Sequence, residues 1–239
     1  AARNFIKAKT AEILSGEYEK GKSKEYTFQE YWEYYHKQKT TPKGVSGKPK
    51  WNKTSDISIS NNFQNHILPY FKDKKLSDVS RMGFEDFAYH LIEEKGLRTV
   101  SAEHIIGLVS TMLKDAVLNE AVDMNRTMGV TVPTSPKKPY DKEITKEQYQ
   151  QLVEHFNWRH IADQARFYLL SLGLRRSEAV GLTVGSIEFV DEYAKILVDK
   201  SRPPAYPEGK STKTNEPRVV YAPPKIANVL KEYLKWMKK

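Results

Sequence analysis

The fold of this chain is decided by one stretch of its sequence, Leu172-Gly173-Leu174-Arg175-Arg176-Ser177-Glu178. A helix is predicted from His160 to Leu172, and Gly173 ends it, because glycine readily takes the backbone conformation that follows a helix. A short helical turn is predicted from Ser177 to Gly181. The stretch therefore places basic and acidic side chains at a turn between two helical segments.

A small antiparallel sheet and a last helix are predicted after this turn. Their composition predicts three strands, which are Ile187 to Val190, Ala194 to Val198 and Arg218 to Tyr221. Pro223-Pro224 begin the last helix, because proline is favoured in a first helical turn. Upstream, a capping box at Thr145 to Gln148 opens another helix, which runs through Phe156. The second half of the chain thus combines helices with one small sheet.

The first half of the chain predicts a compact unit of four helices. Thr27 and Glu30 form a capping box at the start of the first helix. The aromatic residues that follow at helical spacing are predicted to be core rather than a platform for stacking bases, and they are Phe28, Tyr31, Trp32 and Tyr35. The other three helices are predicted over Asp56 to Tyr70, Phe84 to Glu94 and Ser101 to Val122.

The composition is that of a soluble globular protein, and its charge favours a polyanionic partner. Of the 239 residues, 39% are hydrophobic and 29% are charged, and the formal net charge is +9. Such a surplus favours nucleic acid, because each neutralised phosphate releases counterions, although a basic surface kept only for solubility has the same composition. The absence of Cys excludes disulfides and thiolate metal sites. No apolar run approaches the length of a membrane span.

Two basic segments are candidates for phosphate contact. His36 to Lys53 contains no acidic residue, and its prolines and glycines predict a loop that is either solvated or in contact with DNA. Its candidate residues are Lys43, Lys48, Lys50 and Lys53. Three prolines between Arg126 and Lys142 predict an extended linker, which contributes Lys137 and Lys138.

The ordered set of elements in the second half resembles the tyrosine recombinases, the phage-type integrases. In that family, Gly-Leu-Arg-x-Ser-Glu precedes a three-stranded sheet whose second hairpin holds Lys-Thr or Lys-Gly, and a helix follows. Here the equivalents are Gly173 to Glu178 and Lys213-Thr214. The first half is similar to the helical core-binding domain of the family, through its helices, Asn65 to Pro69 and Ala116-Val117. Asn125-Arg126 departs from the Asn-Pro that such domains often have.

The resemblance implies a mainly α fold with a small antiparallel sheet. A four-helix, SAM-like core-binding domain would precede an incomplete α+β catalytic domain. Residues 1–24 would be a coupler helix (Ala1 to Leu14) and a linker, 25–127 the core-binding domain, 128–142 a basic interdomain linker, and 143–239 the N-terminal part of the catalytic domain.

The resemblance also implies the chemistry. Arg175 would hold two equatorial oxygens of the phosphorane-like transition state, with Arg176 as the alternative, and Glu178 would orient the arginine. Lys213 would be the general acid that protonates the leaving 5′-oxygen, with Lys210 as the alternative. The phosphotyrosine link stores the bond energy, so no nucleotide cofactor is expected, and the family implies no metal.

Double-stranded DNA is the expected partner, together with other copies of the protein, as a tetramer in the intact enzyme. We expect it to work on DNA in the bacterial cytosol. The helix that reads bases is predicted to be the fourth, through residues near its start, namely Arg98, Ser101 and His104. Lys210 is also a candidate for DNA contact.

Part of the family pattern is absent from the sequence. None of the six His residues has Arg three positions later, so none of the 14 Tyr residues follows such a motif. The nucleophilic Tyr is therefore expected outside this chain, which alone would be inactive. The alternatives are a non-catalytic DNA-binding fragment that occupies recombination sites and, with less support, a helical RNA-binding protein.

Overall fold

A computed structural model describes residues 25–42, 47–136, 143–212 and 216–238. The chain divides into two compact units, Ala1–Pro139 (unit 1) and Tyr140–Lys239 (unit 2). The fold class predicted from the sequence, mainly helical with a small antiparallel sheet, is confirmed. Several predictions fall outside the described residues, namely the opening helix Ala1 to Leu14 and the roles of Lys43, Lys137, Lys138 and Lys213.

Unit 1 contains the predicted helices around an aromatic core. In chain order they are α1 (Phe28–Thr40), α2 (Lys53–Asn62) with a π turn (Phe63–Ile67) and α3 (Leu68–Phe71) continuous with it, α4 (Arg81–Glu93) and α5 (Thr99–Leu118). The predicted capping box starts α1: the hydroxyl of Thr27 accepts from the N–H of Glu30, whose carboxylate accepts from the N–H of Thr27. The aromatic residues of α1 are buried as predicted, and Trp32 stacks on Phe63 with ring centroids 3.8 Å apart.

The basic loop of unit 1 is shorter than predicted. The helix α1 continues to Thr40, and Lys53 is the first residue of α2 rather than part of the loop. The loop ends at Asn52 because its side chain accepts from the N–H of Ser55 and so caps α2. Just before it, the N–H of Trp51 donates to the carbonyl of Lys39 at 3.0 Å. This bond fixes the end of the loop against the end of α1.

Pro69 explains the π turn between α2 and α3. Proline has no N–H to donate to Asn65, and its ring clashes with the carbonyl four residues earlier. The wider turn avoids this conflict, since the N–H of Leu68 donates to the carbonyl of Phe63, five residues before it. Phe63, Ile67 and Leu68 remain buried in the core.

A polar network joins α1 to α5 inside unit 1. The carboxylate of Asp115 accepts from the ammonium of Lys39 at 2.7 Å, from the Tyr31 hydroxyl at 3.0 Å and from the Asn119 amide at 2.9 Å. The Lys39 side chain is only 11% exposed, and its ammonium lies 4.5 Å from the centre of the Tyr35 ring. Burial raises the pKa of Tyr35 to about 12. Lys39 is thus a structural residue and not a surface cation.

The beginning of the predicted linker is packed on unit 1. The side chain of Asn125 donates to the carbonyl and hydroxyl of Ser110 on α5 and accepts from the N–H and hydroxyl of Thr127, which is buried. Further along, the N–H of Ser135 donates to the hydroxyl of Thr99 at 2.7 Å. Residues 128–136, which the sequence predicted as linker, therefore extend unit 1. Asn125 makes these bonds without the proline that often follows it in the family.

Unit 2 has the predicted order of helices and strands. It consists of α6 (Lys146–Asn157), α7 (Ile161–Ser171), α8 (Arg176–Gly181), a 3₁₀ turn (Val184–Ser186), β1 (Ile187–Val190), β2 (Tyr193–Val198), β3 (Lys200–Ser201), β4 (Lys210–Ser211), β5 (Arg218–Ala222) and α9 (Pro224–Met237). The second predicted capping box is present, with Thr145 and Gln148 at the start of α6. The short strands β3 and β4 were not predicted from the sequence pattern, because two-residue strands carry no periodicity.

The sheet of unit 2 packs one face on the helices. Its antiparallel order is β1–β2–β5. Alternate residues of β2 and the last residue of β5 are buried, and they pack against α7 and α9, which places Ala194, Ile196, Val198, Ala222, Leu169 and Leu230 in one core. Leu230 of α9 is fully buried in this core, whereas Met237 at the end of the same helix is exposed. The register of the sheet sets Arg218 opposite Val198, on the inward side of β5.

Candidate active site and DNA interface

The Gly173 turn directs the chain from α7 into α8. The backbone φ of Gly173 is 84°, a conformation that L side chains rarely adopt. Its N–H donates to the carbonyl of Leu170, and the N–H of Leu174 reaches back to Leu169, so the orphan carbonyls at the end of α7 are satisfied. Leu174 is buried by this turn. Arg175 then occupies the cap position at the start of α8.

Glu178 lies at the centre of the site and is 1% exposed. Its carboxylate accepts from the backbone N–H of Arg175 at 2.9 Å and from Nη1 of the same residue at 2.8 Å. The Arg175 side chain is 59% exposed. The structure therefore brings together the two predicted residues Arg175 and Glu178, with the carboxylate beneath and the guanidinium at the surface.

Arg218 is a site residue that the sequence did not predict. It donates from Nη1 and Nη2 to the two carboxylate oxygens of Glu178, at 3.1 and 2.6 Å. These bonds, and secondarily those of Arg175, lower the pKa of Glu178 to about 2, although burial alone would raise it. The same bonds raise the pKa of Arg218. Forty positions separate the two residues, so nothing in the local sequence pattern indicates the pair.

The β3–β4 hairpin is held close to α8. A Cβ added to Gly181 would lie 2.9 Å from the carbonyl oxygen of Lys200, so this close approach requires glycine. The N–H of Arg202 also donates to the carbonyl of Ser177 at 2.7 Å. The hairpin that precedes Lys213 in the chain is thus attached to the helix that carries Glu178.

Of the two candidate general acids, Lys210 and Lys213, the structure describes only Lys210. The ammonium of Lys210 lies 4.6 Å from the centre of the Tyr206 ring, within its own hairpin, and a cation in this position is stabilised by the ring. Lys213 lies outside the described residues. Thr212 and Glu216, which precede and follow this segment, are hydrogen-bonded: the hydroxyl of Thr212 donates to the carbonyl of Glu216 at 3.4 Å.

The predicted DNA-contacting residues of unit 1 lie on its surface in two places. Lys48, Lys50 and Lys53 are exposed around the end of the basic loop. Ser101 and His104 are exposed on the first turns of α5, and Arg98 is half-buried at the cap position of that helix. The three residues are spaced three apart and therefore share one face of the helix start. The hydroxyl of the neighbouring Thr99 accepts a hydrogen bond from the N–H of Ser135.

An apolar groove of about 320 Å³ runs between α7, α8 and α9 in unit 2. Its walls are formed mainly by aliphatic side chains, with Val180 and Val184 each 56% exposed. An exposed apolar surface of this kind commonly marks a contact with further protein. Among the described residues, no helix combines the length and the apolar character that crossing a membrane requires.

A helical unit followed by a mixed unit, with the Arg175–Glu178 pair where one helix follows another, defines the class of fold. It is the fold of the tyrosine recombinases, in which a core-binding domain precedes a catalytic domain. Comparison with family models and with curated proteins finds no match to the sequence. The likeness is therefore one of structure.

Particular structures with this fold include the integrase of transposon Tn1549 in complex with a circular intermediate DNA. It has a TM-score of 0.67 and 16% identity, over 87% of this chain and 65% of that one. A lambda integrase dimer bound to a COC′ core site has a TM-score of 0.62 and 15% identity, over 90% and 56% of the two chains. A lambda integrase tetramer bound to a Holliday junction has 0.62 and 13%, over 91% and 60%. The chain thus spans less than two thirds of the length of each.

Proposed function

We propose that this chain is the core-binding domain and the first part of the catalytic domain of a site-specific DNA recombinase of a mobile element, a phage or a conjugative transposon. The intact enzyme would cut and rejoin DNA through a phosphotyrosine intermediate. The observation that carries the proposal is the exposed guanidinium of Arg175, held by the buried, ionised carboxylate of Glu178.

The chemistry of strand transfer needs such a group. Attack on a phosphodiester places extra negative charge on the equatorial oxygens, and a planar guanidinium can donate to two of them at once. Because Glu178 holds Arg175 before DNA arrives, little reorganisation is required in the transition state. We assign the role of general acid to Lys213, with Lys210 as the alternative.

The partners follow from the same proposal. Unit 1 would bind duplex DNA through the basic loop and the start of α5, and the linker lysines Lys137 and Lys138 would contact the backbone. Copies of the protein would assemble on the recombination site as a tetramer in the intact enzyme, and the work would take place in the bacterial cytosol. The groove of unit 2 supports a larger catalytic domain, because further helices would cover its apolar surface.

Duplex binding should depend steeply on salt. Each phosphate contact made by a lysine adds about −0.9 to the slope of log affinity against log salt. The double variant Lys48→Gln/Lys50→Gln should therefore flatten the slope by about 2, as measured by fluorescence anisotropy. Lys235→Gln/Lys238→Gln, which removes the same charge from the end of α9, is the control and should leave the slope unchanged. Flat binding by the unmodified chain would contradict the proposal.

The start of α5 should set sequence preference. Replacing Arg98, Ser101 and His104 together by Ala should erase the preference for particular base pairs, since each base contact contributes about 1–3 kcal/mol of discrimination. Selection from a pool of random duplexes measures this. Lys114→Ala, at an exposed position later on the same helix, is the control and should leave the selected sequence as it was. If the triple variant kept the same sequence preference, the prediction that the start of α5 reads the bases would be wrong.

The chain by itself should bind DNA without joining to it. Covalent attachment requires a tyrosine oxygen in line with the phosphate and cationic groups on both sides of it. A nicked suicide substrate, incubated with the chain and run on a denaturing gel, tests this. A protein–DNA band would place the nucleophile among the 14 Tyr residues present. If the intact enzyme that we propose also fails to join DNA, the alternative function holds, namely a DNA-binding fragment that occupies recombination sites.

A further inference from the structure

The side chains of Arg218 and Arg175 make different numbers of hydrogen bonds to Glu178. Arg218 uses both terminal nitrogens, one on each carboxylate oxygen, and its side chain is 38% exposed. In the described part of the chain, the Arg175 side chain bonds to Glu178 through Nη1, and it is 59% exposed. Arg218 thus has the geometry of a paired structural arginine, whereas Arg175 presents its outer nitrogens to solvent.

From this arrangement we infer that Arg218 is a positioning residue, which neutralises Glu178 and so leaves the charge of Arg175 available to a DNA phosphate. The inference rests on the proposed function in one respect, that a phosphate is the ligand of Arg175. In this role Arg218 does not touch the phosphate, and it acts on phosphate binding only by pairing with Glu178.

The charges of the three groups support this role. Without Arg218, Glu178 and Arg175 would form a neutral pair, and the buried carboxylate would compete with any phosphate for the guanidinium. With Arg218 present, the group of three carries one net positive charge. Arg175 and Arg218 both donate to the same oxygen, Oε1, and the repulsion between two neighbouring cations is relieved further when an anion binds.

The position of Arg218 is set independently of Arg175. It lies on β5, where it pairs with Val198 of the central strand. Glu178 lies on α8, which the N–H of Arg202 and the close approach at Gly181 hold to the β3–β4 hairpin. The sheet therefore presents one guanidinium to the carboxylate, and the helix start presents the other.

Inorganic phosphate is the probe that tests the inference. The ¹⁵N–¹H signal of the Arg175 Nε group in the 239-residue chain, assigned by its loss in Arg175→Met, is followed at low salt as phosphate is added. We expect saturable shifts for the unmodified chain. Arg218→Met should weaken phosphate binding at this signal about tenfold. Adding Glu178→Gln to Arg218→Met should restore the affinity to within about twofold, because the competing charge is gone.

Each outcome decides the inference. Arg159→Met, which removes an exposed guanidinium elsewhere in unit 2, is the control and should keep the affinity within about twofold. Unchanged affinity in Arg218→Met, or no rescue in the double variant, overturns the inference, as does the absence of any phosphate shift in the unmodified chain. If Arg218→Met does not fold, the double variant alone is compared with the unmodified chain, and a tenfold loss overturns the inference.

Failure of the inference is distinguishable from failure of the proposed function. Duplex binding and its salt dependence are measured on the same preparations. Normal duplex binding with no effect of Arg218 on phosphate contradicts the role of Arg218. Loss of duplex binding with the phosphate pattern intact contradicts the proposed function and leaves the role of Arg218 in place.

Discussion

In the intact recombinase that we propose, Arg175→Ala should abolish DNA cleavage, while binding to the recombination site is kept. The guanidinium acts mainly on charge that develops in the transition state, so its loss reduces the rate by about 10³-fold or more with little change in affinity. Single-turnover cleavage of a suicide substrate measures the rate, and anisotropy on the same duplex measures binding. Arg159→Ala removes an equal charge from an exposed position of unit 2 and should cleave normally.

The same assay separates the remaining candidates in the site. Near-normal cleavage by Arg175→Ala, with an inactive Arg176→Ala, would transfer the role to the neighbouring arginine. A 5′-thiol leaving group needs no proton, so it should restore much of the rate lost in Lys213→Ala. Full activity of Lys213→Ala beside an inactive Lys210→Ala would make Lys210 the general acid.

Asp115→Ala should destabilise unit 1 by about 3–5 kcal/mol, because it leaves the ammonium of Lys39 buried without its countercharge. The Tyr31 hydroxyl would lose its acceptor as well. Urea unfolding measures the loss. Replacing Trp158 and Trp236 by Phe in the background restricts the fluorescence to Trp32 and Trp51, so the signal then reports on unit 1.

Two further variants test the cause of this loss. Asp73→Ala, whose side chain is 86% exposed, should change the free energy of unfolding by less than about 0.5 kcal/mol. Lys39→Met/Asp115→Leu removes both buried charges and should cost less than Asp115→Ala alone. A cost below about 1 kcal/mol for Asp115→Ala would show that the buried ion pair contributes little.

The sequence by itself determined the features that depend on near neighbours. The capping boxes at Thr27 and Thr145 were predicted and are present, because each one joins residues three apart by direct hydrogen bonds. β1 was predicted with its observed bounds, and the aromatic stripe of α1 is buried. Arg175 and Glu178, which the family resemblance paired, are hydrogen-bonded, since residues three apart at a helix start lie side by side.

Only the tertiary structure decided the contacts between distant residues. Lys39 has the same local context as a surface lysine, and its burial follows from Asp115 on another helix, 76 positions later. The segment 128–136 has the composition of a linker, yet the side chains of Thr99 and Arg81 bind it to unit 1. Arg218 reaches Glu178 because the sheet register turns that residue of β5 inward. Local periodicity carries no information about such pairs, since they depend on how separate elements pack.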